Sequence, residues 1–152
     1  MAYTTAEGRA QLLDTVADAV DRLAGAIADL SELYELLDER SAETLEAALF
    51  RPVQGAYGRA RRAYAGFASR HALAPREFAA AGAGAPGHGV KGFLDAAVSA
   101  AGDADALLAE LQDSLLPVEV GDAELRADLE AVRTLLSGVP SSARELSRTL
   151  GR

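Results

Sequence analysis

Residues 12–37 read LLDTVADAVDRLAGAIADLSELYELL, and the spacing of the apolar letters here decides the fold. Leu13, Val16, Val20, Leu23, Ile27, Leu30, Tyr34 and Leu37 follow one another at steps of three and four without a break. On an α-helix such steps bring each side chain back to one side every two turns, which makes a heptad seam. Thr4 and Glu7 stand at capping-box spacing ahead of it, so the helix is predicted to start near residue 5. An end near Glu39 makes it about 50 Å long at about 1.5 Å per residue. The acids Asp14, Asp18, Asp21, Asp29, Glu32, Glu35 and Glu39 are all expected on its outer positions.

The shoulders of the seam choose the architecture. Ala10, Ala17, Ala24 and Ser31 lie on one side, and Leu12, Ala19, Ala26 and Leu33 on the other. A two-stranded coiled coil carries charges on both shoulders, whereas apolar shoulders require neighbours on both. The stretch therefore predicts one rod of a helical bundle.

The rest of the chain repeats the pattern. Ser41 is expected to cap a segment through Leu45 and Leu49, after which Pro52 kinks the helix or opens a new one. Val53, Tyr57, Ala60, Tyr64, Phe67 and His71 then hold a seam until Pro75. A third seam runs Val90, Leu94, Ala97, Ala101, Ala104, Leu108, Leu111, Leu115 and stops at Pro117. Asp122 is expected to cap a fourth, through Leu125, Leu129, Val132, Leu136, Val139, Ala143, Leu146 and Leu150, with a kink at Gly138 and Pro140. The reading is an all-α, up-down-up-down four-helix bundle forming one domain over residues 1–152. Its long antiparallel helices are placed roughly at 5–39, 42–73, 90–116 and 123–150, with a flexible loop at 79–89. Leu23, Ile27, Tyr64, Phe67, Leu108 and Leu129 are expected among the least exposed residues.

Composition narrows the chemistry. The 152 residues are 49% hydrophobic and 25% charged, values of a soluble globular chain. The absence of cysteine excludes disulfides, zinc–thiolate sites, iron–sulfur clusters and a Cys nucleophile. The N-terminus has no basic start followed by an apolar run, and no apolar stretch is long enough to span a membrane, so a cytoplasmic location is expected. His71 and His88 are the only histidines and neither follows a Glu by three residues, so a di-iron carboxylate site is not predicted. His71 sits on a seam where it would serve a haem-like group as single axial ligand. The same position at a helix end suits a histidine that satisfies terminal carbonyls, and that reading is preferred.

The run Gly84-Ala85-Pro86-Gly87-His88-Gly89-Val90-Lys91 departs from a phosphate loop. Val90 intervenes before Lys91, no Ser or Thr follows, and no strand precedes it. Ser41, Ser137, Ser141 and Ser142 occupy cap and turn positions, and no Gly-x-Ser-x-Gly elbow occurs. No enzyme activity, metal or cofactor is predicted.

Charge is distributed unevenly. Residues 1–50 hold 3 Arg against 11 acids, residues 51–76 hold 6 Arg and no acid, and the whole chain has a net charge of −8. In the basic second helix, Arg61 and Arg70 are placed to pair with acids of flanking helices. Gly55, Arg59, Arg62, Gly66 and Ser69 follow at steps of four, three, four and three, away from the seam. Glycine inside a helix costs about 1 kcal/mol relative to alanine, so outward glycines beside arginines mark a candidate partner-contact surface. The function predicted is protein–protein association, with a partner or with a second copy of the chain. Nucleic-acid or polyanion binding through the basic helix is the alternative, disfavoured by the net negative charge. A bundle holding a small apolar ligand or haem-like cofactor is another alternative.

Overall fold

A computed structural model describes residues 4–79, 81–83 and 89–150. The described residues are all-helical with no strand. Helix α1 (Thr5–Leu36) opens with the expected capping box. The Thr4 hydroxyl accepts from the Glu7 N–H at 3.1 Å, and the Glu7 carboxylate accepts from the Thr4 N–H at 2.9 Å. The helix stops short of Glu39, because Leu37 turns extended and Asp38 caps α2 (Glu39–Leu45). The cap is therefore Asp38 and not Ser41, whose own N–H donates to the Asp38 carboxylate at 2.8 Å.

Residues Glu46–Phe50 form a π-turn that leads into α3 (Arg51–Arg70) without a break. The Arg51 N–H reaches back five residues to the Glu46 carbonyl. A proline has no N–H and its ring crowds the carbonyl four residues back, so a widened turn just before Pro52 lets the rod continue. Helix α3 ends in a Schellman arrangement. The Leu73 N–H bonds the Ala68 carbonyl at 2.8 Å, and Ala72 takes a left-handed φ of 53°.

Helix α4 (Gly89–Asp113) ends before Pro117, which lies in the first turn of a short α5 (Leu116–Glu119). Gly121 follows because a Cβ there would run into the Pro117 carbonyl. Asp122 caps α6 (Ala123–Leu136) as expected, accepting from the Leu125 N–H at 2.8 Å. The predicted single fourth helix is in fact two, since Ser137 and Gly138 form a turn and Pro140 sits in the first turn of α7 (Val139–Leu150). The seam crosses this joint intact, with Leu129, Val132, Leu136, Val139, Ala143 and Leu146 all buried. Within the predicted loop 79–89, residues 80 and 84–88, including Pro86 and His88, lie outside the described residues.

The connection order differs from up-down-up-down. Tyr34 packs edge-on against Phe50, and Arg76, just beyond α3, pairs with Asp21, so α3 runs antiparallel to α1. Arg9 donates to the Val120 carbonyl and Arg22 pairs with Asp103, so α4 is antiparallel to α1 as well. Helices α3 and α4 thus point the same way. Arg70 with Asp122, and Arg133 with Asp105, set α6 antiparallel to both. The order along the chain is up, down, down, up, so α3 ends and α4 starts at opposite ends of the bundle. The 18 residues between the two helices can span at most about 60 Å when extended, ample for the length of a 20-residue helix. Just beyond α3, Arg76 donates its backbone N–H to the Tyr64 hydroxyl, and Phe78 packs edge-on against Tyr64.

One hydrophobic core joins all these helices. Leu23, Phe67, Leu108 and Leu129 are among its most buried residues and Tyr64 is buried too, but Ile27 is only half-buried. The reason is that the buried face walks round α1. It begins at Leu12, Leu13, Val16, Ala17 and Val20 and has moved to Ala26, Asp29, Leu30 and Leu33 near the far end. Helix α1 packs mainly against α4 and α3, and it also meets α5, α2 and the π-turn. The rotation turns Tyr34 outward to 38% exposure and carries Asp29, expected on the outside, inward to 3%. Leu115, expected on the third seam, is exposed at the corner between α4 and α5.

Candidate functional site

At 100° per residue, the core face of α3 is drawn by Val53, Ala56, Ala60, Ala63, Tyr64 and Phe67. Opposite it stand Arg51, Gly55, Arg62 and Ser69, all exposed, with Gly58 between them. Two members of the predicted surface lean aside. Arg59 is half-buried against α6, its Nε 2.9 Å from the Asp128 carboxylate. Gly66 is half-buried beneath Arg70, and an added Cβ would lie 2.9 Å from the Arg70 Nη1. Gly55 borders α6 as well, with its missing Cβ 3.6 Å from Leu135. Gly55 and Arg59 thus border α6, Gly66 lies under Arg70, and only Arg62 and Ser69 face outward, so the five residues do not share one free face.

The arginines of the basic helix divide in the same way. Arg70 Nε lies 2.8 Å from Asp122, and its Nη1 is 3.1 Å from Glu124. Arg76 pairs with Asp21. Arg61, expected to meet an acid, stacks instead over the Tyr57 and Phe78 rings, 5.7 Å from each centroid. Arg51 and Arg62 make no ion pair with any described residue. The glycine four residues before Arg70 has a use inside the molecule, because a bare backbone lets the guanidinium lie flat toward Asp122.

The densest polar cluster was not singled out from the sequence as a unit. Asp122 accepts from Arg70 at 2.8 and 2.9 Å, lies 2.9 Å from His71 Nε2, and caps α6. The Arg70 guanidinium holds its carboxyl well below the usual carboxylate range, helped by the Leu125 N–H and His71. In return Asp122 pushes the Arg70 guanidinium up. The His71 ring faces Asp122 and packs tilted against Phe67, with ring centroids 4.3 Å apart, instead of serving the helix carbonyls. Only its backbone N–H serves the end of the helix, donating to the Phe67 carbonyl. The cluster ties the end of α3 to the start of α6, a structural task.

Among the described residues, no three His, Asp or Glu side chains are grouped to hold a metal ion. No helix among them is long and apolar enough to cross a membrane. The grooves are shallow and lie between helices. One of about 510 Å³ separates Thr44 and Ala48 from Ser142, Leu146 and Thr149. A second, of about 340 Å³, runs between Leu94, Val98 and the Pro140–Ser147 face of α7. Comparison of the chain with protein-family models, with curated proteins and with solved structures finds no match in any of the three.

Proposed function

We propose that the protein is a non-enzymatic cytoplasmic helical bundle that works by association through the outer face of α3. The observation that carries this reading is the contrast among the arginines of one helix. Arg59 and Arg70 are bound by acids of α6, while Arg51 and Arg62 stand exposed without an ion pair among the described residues. Around them Gly55 and Ser69 offer exposed backbone, and Leu135 of α6 leaves an apolar edge beside Gly55. Arginine forks suit a carboxylate-bearing surface, and low side chains between them permit close approach. A second copy of this chain, with its acid-rich first third, presents such a surface.

Sedimentation velocity over a concentration series tests the reading. Reversible association is expected, weakened in an Arg51→Glu, Arg62→Glu double variant that keeps its helical circular dichroism. A chain that stays monomeric but binds random duplex DNA in a steeply salt-dependent way overturns it in favour of polyanion binding.

A further inference from the structure

At the other end of the molecule, the π-turn builds a recess of about 200 Å³ lined by Tyr34, Glu46, Phe50 and Gln54. Its walls are two aromatic rings, with Phe50 edge-on to Tyr34 at a centroid distance of 6.5 Å and an interplanar angle of 78°. Glu46 is half-buried there, yet its carboxylate has no ion pair and no hydrogen bond with any described residue. Glu46 and Phe50 stand four residues apart on the π-turn and line the same recess. The field at this place is negative. Residues 29–46 carry 7 acids and one Arg, and the last turn of α1 has no basic side chain to meet its terminal carbonyls.

We propose that this recess takes the ammonium or guanidinium head of a lysine or arginine side chain presented by a protein partner. An aromatic face attracts a cation through its quadrupole, and an unpaired carboxylate beside the rings supplies the counter-charge. The Gln54 side chain adds an amide oxygen that accepts from the same head. An anion is disfavoured by Glu46 and by the end of α1, and an apolar ligand leaves the carboxylate desolvated and unmatched. The recess is large enough for a head group only. Binding of that head alone gains little, so the rest of a peptide segment must supply further contacts. The recess contains none of Gly55, Arg59, Arg62, Gly66 and Ser69, and its occupancy does not rest on the α3 surface.

The test is a titration followed by NMR on the Tyr34 and Phe50 ring signals. The probes are choline, its neutral carbon isostere 3,3-dimethyl-1-butanol, a capped Ala-Gly-Lys-Gly-Ala peptide and the same peptide with norleucine in place of lysine. Both cationic probes are expected to bind at least about threefold more tightly than their neutral twins. Glu46→Gln is expected to weaken the cations by about three- to tenfold and to leave the neutral probes unchanged. Neutral twins that bind as well as the cations overturn the site, and so does a Glu46→Gln variant that binds lysine unchanged. A lysine peptide no tighter than choline overturns the assignment to a protein segment. Should Glu46→Gln fail to fold, the comparison of twins on the unaltered chain still decides. Arg62→Glu is expected to leave all four titrations as they are, which separates this site from the α3 surface.

Discussion

The two ends of the molecule are built on different terms. At the end where α3 stops and α6 starts, polar groups close on one another. Arg70, His71 and the Leu125 N–H converge on Asp122, and Arg126 donates to the Pro117 carbonyl at 3.0 Å. At the end where α1 stops and the π-turn begins, Tyr34 and Leu36 are exposed, Glu46 has no described partner, and a groove opens beside α7. The closed end spends its charges on holding helices together. The open end leaves the Glu46 carboxylate without a described partner beside a partly exposed aromatic pair. Contact chemistry is therefore sought at the open end and on the outer face of α3, and stability at the closed end.

The sharpest way to break this contrast is to truncate one aromatic at each end. Phe67, wholly buried beside the Asp122 cluster, is expected to lose about 3–5 kcal/mol on change to Ala. Tyr34→Ala at the open end is expected to cost less than about 1 kcal/mol. Urea denaturation of the two variants checks the pair, and comparable losses would mean that the open end is as much a part of the core.

The next largest effect is expected from Asp122. Its change to Ala removes a helix cap together with a charge-assisted fork, a loss of about 2 kcal/mol, whereas Asn keeps the cap and loses about 1 kcal/mol. The pH dependence carries a definite sign. The folded state holds this carboxyl below the usual range, so its contribution is complete above the ordinary carboxylate pKa and is lost as pH falls through and below that range. Unfolding measured at pH 7 and pH 3 is expected to show a smaller acid-induced loss in Asp122→Asn than in the unaltered chain.

Three small effects sharpen the comparison further. Ala72 holds a left-handed conformation at the closed end, so Ala72→Gly is expected to stabilise by about 0.5 kcal/mol despite the entropy glycine adds to the unfolded chain. Gly55→Ala is expected to stabilise by about 0.5–1 kcal/mol in the dilute monomer, since the added methyl meets Leu135 only at ordinary contact distance. Gly66→Ala has no such room beneath Arg70 and is expected to gain less. Thermal unfolding ranks the three, and a Gly66→Ala gain equal to that of Gly55→Ala would show that Arg70 moves aside without cost.

The candidate surface was legible only in outline. Glycines beside arginines at steps of four and three were visible in the letters, but spacing on one helix cannot say which neighbour stands at its flank. Asp128 and Leu135 of α6, far along the chain, decided that Arg59 and Gly55 border a partner within the molecule. The recess at the π-turn left no sign in the sequence, because Tyr34 belongs to the seam by spacing and Glu46 looks like one more outer acid.

The sequence by itself determined the elements that rest on local chemistry. The Thr4–Glu7 capping box and the Asp122 cap act within a turn of helix and are found in place, while the three-and-four spacing located most of the buried side chains but not Ile27, Tyr34 or Leu115. Tertiary structure alone decided the direction of α4, the drift of the buried face of α1 and the exposure of Tyr34. A helical period fixes which side chains share a face, and it is indifferent to whether the next helix arrives parallel or antiparallel. That choice rests on the shared core packing of residues far apart in the chain, and it shows in contacts such as Arg22 with Asp103 for α4 and Arg76 with Asp21 for the end of α3.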